Sequence, residues 1–253
     1  MKKKLGKIII IIVIFIIIFF ITNKIFGIKI LKEAYDYCQE CNSQGNLNLY
    51  SCIYVQYGDS NNKYQRTEKY FKNGNTYTQN YYASEQGCTY IEAYNDVETE
   101  DYLLMSMVNN DPNTIVYEII DFAFSDKIVI PLSRTVVTMS SFETMNLFEK
   151  LNLFFNLNGF TYLEKVDDKW CYVINMIDST SFIIDENGNE IPDRYKVWLD
   201  VKNLLPIKES YLVDEEYGES EYITYDFKFD VVTDEDVAWP DLAGKNLKIN
   251  EIN

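Results

Sequence analysis

Residues 195–212 read YKVWLDVKNLLPIKESYL. The stretch reads as two strands folded back on each other around residues 201–204. Segments before and after have the same texture, so this hairpin is the centre of an antiparallel meander. Toward the C-terminus, residues 204–213 turn at 215–218 into a strand over 219–231. In that strand Ile223, Tyr225, Phe227, Phe229 and Val231 face one way, and Ser220, Tyr222, Thr224, Asp226, Lys228 and Asp230 the other. One buried face and one wet face are what an open antiparallel sheet needs. Residues 233–253 read as a polar tail crossing the surface around Trp239-Pro240.

Toward the N-terminus the meander continues. Residues 160–166 turn at Asp167-Asp168 into 169–177, and 180–185 turn at Asn187-Gly188 into 190–200, a strand interrupted by Pro192. Earlier still, residues 49–57 alternate with period two. Residues 63–72 and 75–83 flank Asn73-Gly74, the sequence of a type I′ hairpin turn, and 87–94 form a fourth strand. Residues 96–139 are ambiguous: 101–108 and 114–123 suit helical turns or strands, and 126–139 suits a strand broken by Pro131.

Two helices stand out. Residues 28–44 place Leu31, Ala34, Tyr35, Cys38 and Cys41 on one face, with Gly45 as the stop and a joint to the preceding segment near Gly27. Residues 140–157 begin with Ser140 and Glu143 in capping-box spacing and end at Asn158-Gly159. Phe142, Met145, Leu147, Phe148, Leu151, Phe154 and Phe155 cover most of that helix, so it must be covered on most sides. The stripe is either packed core or the lining of a hydrophobic cavity.

Composition narrows the chemistry. The 253 residues carry a net charge of −16, unevenly spread. The first 29 residues hold six lysines and no acid, leaving 17 basic against 39 acidic groups in the rest, a net of −22. Such a domain repels phosphate backbones, which argues against nucleic-acid binding. The sequence contains no histidine, which removes histidine acid–base chemistry, histidine-containing triads and histidine-ligated zinc. The 21 tyrosines and 15 phenylalanines suit a sheet with one hydrated face.

The leader is basic over residues 1–7 and unbroken Ile, Val and Phe over 8–21. Fourteen apolar residues are short of the roughly 20 that span a bilayer. However, no alanine precedes Ala34 to make a cleavage site, and Lys7 and Lys24 can snorkel outward around a locally thinned bilayer. The expectation is an uncleaved transmembrane anchor over 1–27, with cleavage near 22–27 as the alternative. Lys2, Lys3, Lys4 and Lys7 stay inside, so residues 28–253 form one extracytoplasmic domain on a single-pass cell-membrane protein.

The segment Lys196-Val197-Trp198-Leu199-Asp200, a short turn, then Leu205-Pro206-Ile207-Lys208 resembles the bacterial lipoprotein-localisation fold, shared by LolA-like and LolB-like lipoprotein carriers. Residues 234–242 (DEDVAWPDL) are similar to the acidic closing segment of membrane-attached members. The resemblance covers the layout of residues 30–245. It implies an α+β fold: a strongly curved antiparallel sheet, or half-barrel, with helices on its concave face and a hydrophobic cavity for acyl chains. Some relatives instead sense or restrain a membrane signalling partner. A tethered domain departs from the soluble carriers, which move between membranes.

The residues expected to line such a cavity are Phe142, Leu147, Phe148, Leu151, Phe154, Phe155, Trp170 and Trp198. Cys38 and Cys41 have C-x-x-C spacing but sit near a helix C-terminus, where the dipole opposes a thiolate. Five cysteines outside the cell suggest disulfides among Cys38, Cys41, Cys52 and Cys88, leaving Cys171 over. Residues 185–190 faintly resemble a calcium loop, but the glycine is misplaced and the closing glutamate is missing. No metal, cofactor or catalytic constellation is expected. The function expected is binding of a lipid, acyl chain or other amphiphile. The alternative is a sensory or protein-interaction module acting on an envelope partner.

Overall fold

A computed structural model describes residues 2–43, 47–57, 63–84, 87–95, 101–109, 111, 115–121, 130, 133–157, 159–184, 190–212, 221–243 and 247–250. The expected stop at Gly45, the turns at Asn187-Gly188 and 215–218, the loop 185–189, Pro131 and Asn158 lie outside them. In chain order the elements are α1 (Lys2–Ser43), β1 (Asn48–Tyr57), β2 (Tyr64–Lys72), β3 (Asn75–Ser84), β4 (Gly87–Asn95), β5 (Asp101–Val108) and β6 (Val116–Asp121). Then come α2 (Arg134–Val137), α3 (Leu147–Asn156), β7 (Tyr162–Val166), β8 (Lys169–Ile184), β9 (Glu190–Asp200), β10 (Pro206–Leu212), β11 (Glu221–Phe229) and β12 (Leu247–Asn250). The class is α+β, with antiparallel sheet, few helices and an apolar N-terminal helix, as the hairpin texture predicts. The chain forms two compact units, Met1–Tyr37 with Leu132–Leu212, and Cys38–Pro131 with Val213–Asn253.

The first unit carries strands in the order β10-β9-β8-β7, all antiparallel. Its central hairpin turns at 201–203, where the Asp200 N–H donates to the Leu205 carbonyl at 2.9 Å and the Asp200 carboxylate accepts from the Lys202 N–H at 2.9 Å. Period-two alternation sends Ile174, Met176, Val197 and Leu199 to one face. There they pack with Ile30, Leu31 and Ala34 of α1, Val136 of α2 and Leu153 of α3. The opposite face holds Cys171, Val173 and Trp198, flanked by Val166 and Ile207.

α1 runs without a break through Gly27, so the expected joint there is absent. Gly27 serves a close approach instead: a Cβ on it would lie 2.5 Å from the Thr161 hydroxyl oxygen. The described end of the expected strand over 126–139 is helical. Ser133 caps α2 by accepting from the Val136 N–H at 3.1 Å. Buried Glu209 on β10 accepts from the Thr135 N–H at 3.1 Å and the Thr135 hydroxyl at 2.8 Å, and these bonds hold the turn helical. The long helix also starts later than residue 140. Its capping box is Asn146 with Glu149: Asn146 Oδ1 accepts from the Glu149 N–H at 3.1 Å, and Glu149 Oε2 accepts from the Asn146 N–H at 2.6 Å. Residues 138–144 form successive tight turns instead.

The second unit orders its strands β12-β6-β5-β4-β3-β2-β1-β11. Asn73 and Gly74 take φ of 52° and 93°, the left-handed pair a type I′ turn requires. Of the two ambiguous segments, 101–108 is a strand and 114–123 is a strand over Val116–Asp121, and the two pair antiparallel with each other. One sheet face buries Leu49, Phe71, Ala93, Ile223 and Tyr225. β11 alternates as expected through Phe229, but Asp230 takes φ of 59° and Val231 is exposed, with Val232 buried in its place. Asn48 fixes this exit: its amide donates to the Val232 carbonyl at 2.8 Å and accepts from the Val232 N–H at 2.9 Å. The tail does more than cross the surface, since β12 joins β6 as a parallel strand.

No disulfide joins the five cysteines, all of them among the described residues, which corrects the expected pairing of Cys38, Cys41, Cys52 and Cys88. Cys52 on β1 and Cys88 on β4 lie three strands apart, roughly 14 Å at sheet spacing, whereas a bridge needs Cα atoms about 4.4–6.8 Å apart. Cys38 and Cys41, at i and i+3 of a regular helix, hold their Cβ atoms about 5–6 Å apart, too wide for a relaxed bridge. Burial, with Cys41 alongside, pushes the Cys38 thiol up to about 12, so it stays protonated and inert at neutral pH.

Candidate functional site

A half-open cleft of about 470 Å3 lies in the first unit between α3, the 138–145 turns and strands β8 and β9. Its floor is apolar: Met145, Leu153, Met176, Ile177 and the Tyr195 ring. Its rim is polar, with Thr138, Ser141 and Thr144 on one side and Glu149, Asn152 and Asn156 of α3 on the other, while Thr135, which also lines it, is buried with its hydroxyl given to Glu209. The volume falls within the roughly 300–1,000 Å3 of small-molecule sites. An apolar floor beneath hydroxyls and amides offers a chain or ring somewhere to bury and a polar group several hydrogen-bond partners.

The residues expected to line a cavity are distributed otherwise. Leu147, Phe148, Leu151 and Phe155 project outward from α3, exposed by 71%, 82%, 43% and 69%. Phe142 packs half-buried against the core, with the Lys150 ammonium 5.1 Å from its ring centre. Phe154 is half-buried near α1: Lys24 Nζ donates to its carbonyl at 3.2 Å and sits 5.2 Å from its ring centre. Trp170 is exposed near the start of β8. Trp198 is buried on the sheet face away from the helices, with the ammoniums of Lys196 and Lys208 4.2 and 5.2 Å from its ring centre. None of these eight side chains lines the cleft. The cleft residues that sequence reading missed carry one signal: Glu149, Asn152 and Asn156, at i, i+3 and i+7, form a polar stripe on an otherwise apolar helix.

The second unit has its own concavity, of about 690 Å3, lined by Tyr54, Tyr64, Arg66, Glu68, Gln79, Tyr81 and Tyr90. Rings run across the strands in two ladders. One stacks Tyr54, Tyr64 and Tyr81 at 5.3 and 5.7 Å. The other links Tyr50, Tyr70, Tyr77 and Tyr94 at 5.0, 5.6 and 4.5 Å. Carboxylates tie the phenols: Glu92 accepts from Tyr77 at 2.9 Å, Tyr90 at 2.5 Å and Tyr94 at 3.1 Å. Burial, then the Glu92 charge and its hydrogen bonds, push Tyr90 and Tyr94 above the ordinary phenol range. The folded unit therefore binds these protons more tightly than the unfolded chain. That stability is complete below about pH 10, the ordinary phenol value, and fades as pH rises beyond it. The unfolding midpoint in denaturant should fall once pH exceeds about 10, and Glu92→Gln should flatten that fall. Equal midpoints near neutrality and in this alkaline range would contradict the network.

Among the described residues no group of three or more Cys, Asp or Glu side chains is placed to hold a metal ion. Among the described residues one helix, over Lys7–Ser43, is long and apolar enough to cross a membrane.

No protein-family model matches the chain, and no curated protein does. Solved structures similar to it include a LolA superfamily protein from Nitrosomonas europaea, 13% identical with a TM-score of 0.21, covering 83% of this chain and 96% of that one. The lipoprotein LppX of Mycobacterium tuberculosis is 11% identical with a TM-score of 0.30, covering 80% and 96%. The MucA/MucB complex of Pseudomonas aeruginosa is matched at 11% identity and a TM-score of 0.32, over 82% of this chain and 61% of that one. These include the kind of protein that the 196–208 segment resembles. The fold class itself rests on the strand registers described above.

Proposed function

We propose that the chain is a membrane-anchored, extracytoplasmic and non-catalytic binding protein that accepts an amphiphile, a lipid or acyl-bearing molecule, in the cleft beneath α3. The observation that carries this reading is the pairing of an apolar floor at Met145, Leu153 and Met176 with a rim of hydroxyls and amides. An acyl chain would displace water from the floor, and its head group would take hydrogen bonds from the rim. The apolar run of α1 supports the anchored placement, with residues 28–253 outside.

A photoactivatable fatty acid, added to membranes bearing the full chain, tests this. It should label peptides within residues 138–156 or 176–177. Ser141→Trp, which fills the mouth of the cleft from an exposed position, should cut that labelling at least about tenfold, a change of 1.4 kcal/mol in occupancy. Labelling confined to the α1 span, or unchanged by Ser141→Trp, would rule the cleft out. A second reading, a module acting on a neighbouring membrane protein, is favoured by the rigid continuity of α1 into the first unit. Reproducible crosslinking to one membrane protein, with no labelling of the cleft, would select it.

A further inference from the structure

The outward side of α3 has no cover among the described residues. Leu147, Phe148, Leu151 and Phe155 fall within an arc of about 100° at helical spacing. The other side of the same helix seats Leu153 in the core and turns Glu149, Asn152 and Asn156 to the cleft. A ten-residue helix with two opposed functional faces, the outer one uncharged and rich in phenylalanine, has the make-up of an interfacial element.

Its location within the first unit says what covers it. The C-terminal end of α3 is fastened to α1 where the apolar run ends. Lys24 donates to the Phe154 carbonyl at 3.2 Å. Asn23 and Thr161 exchange two hydrogen bonds, of 2.9 and 2.8 Å. Exposed Phe160 places its ring 5.7 Å from Phe19 and 5.3 Å from Phe20. Ahead of α3, Glu143 pairs with Lys32 at 3.0 Å, eight residues and so about 12 Å farther along α1. The helix therefore descends toward the span, with Phe155 and Phe160 at its foot and Phe148 higher.

We infer that α3 and Phe160 seat in the outer head-group region of the bilayer that α1 crosses, holding the first unit against the membrane. This rests on the anchored reading above and adds a second point of contact to it. The occupant is lipid because exposed Phe160, four residues beyond α3, sets its ring against Phe19 and Phe20 of the apolar run that the anchored reading puts in the bilayer. A face buried about 5–10 Å into the head-group boundary satisfies side chains that water does not. Lys24 lies buried at the junction, its ammonium 4.9 Å from the ring centre of Phe20 and 5.2 Å from that of Phe154.

The full chain in phosphatidylcholine vesicles tests this with three reporter variants, Phe148→Trp, Phe155→Trp and Phe160→Trp, each read as the fluorescence gained over the parent. Lipids brominated near the head group should quench the gain at positions 155 and 160 at least about twofold more than at 148, following the tilt of the helix. All three should be shielded from aqueous iodide relative to an exposed reporter at Val231. Reporters quenched by iodide and untouched by brominated lipid would overturn the proposal. So would reporters shielded from both and crosslinking chain to chain, since a second copy would then be the cover. An alkaline carbonate wash separates the two readings. Chain retained in the vesicles with unquenched reporters refutes the α3 contact alone, and chain released by the wash refutes the anchor and this contact together.

Discussion

Leu31→Ala should cost the first unit about 2–5 kcal/mol, and Leu31→Asp should leave it unfolded. Leu31 is fully buried and packs in one cluster with Val136, Leu153, Ile174, Met176, Val197 and Leu199. Every helix of the unit and both central strands contribute to that cluster. Truncation to alanine loses the transfer of the side chain and leaves a cavity that three helices and a sheet cannot all close upon. A carboxylate there would have no partner, and several kcal/mol of desolvation are large against the roughly 5–15 kcal/mol that holds a domain together. The same logic separates two truncations. A chain starting at Ile28 keeps Ile30, Leu31 and Ala34 and should fold, whereas one starting at Cys38 should not. Limited proteolysis reads both: equal resistance of the two truncated chains would show that α1 is not part of the core.

Trp198→Ala should cost about 3–5 kcal/mol, while Trp198→Phe should cost far less. The ring is buried against Cys171 and Val173, with lysine ammoniums from β9 and β10 above it. Its indole N–H, buried, has no acceptor among the described residues. Leaving such a donor unpaired costs about 1–3 kcal/mol, so phenylalanine removes a penalty while keeping most of the apolar contact. What it gives up is part of the cation–π attraction, on the order of 0.5–1 kcal/mol per lysine. Denaturant midpoints for the two variants decide the matter. If phenylalanine destabilises as much as alanine, the indole nitrogen has an acceptor after all.

The hairpins were legible because their signals are local. Asn73-Gly74 takes the backbone its sequence demands, and the turn after Asp200 falls within 201–204, between the two strands read on either side of it. The helix limits were less so, because two capping boxes compete within ten residues, Ser140 with Glu143 and Asn146 with Glu149. The second prevails because residues 138–144 are drawn into tight turns beside α2, whose start is fixed by Glu209, some 70 residues away in sequence. Which side of α3 faces inward was not legible, since apolar residues surround the helix. The packing of α1 across β8 and β9 decides it, leaving Leu153 inside and the larger phenylalanines outside. The cleft shares that dependence: its rim comes from turn residues whose convergence no spacing encodes. Trp198 looked like a cavity residue by type, yet strand parity sends it to the face opposite Leu199.

α1 is 42 residues of uninterrupted helix, about 63 Å long, and its upper part is itself a wall of the first unit. No swivel separates the apolar run from the folded first unit, because Gly27 between them is locked against Thr161. On the anchored placement proposed above, any change in bilayer thickness that made this helix lean would swing the first unit's strands through the same angle, as a mast carries its sail.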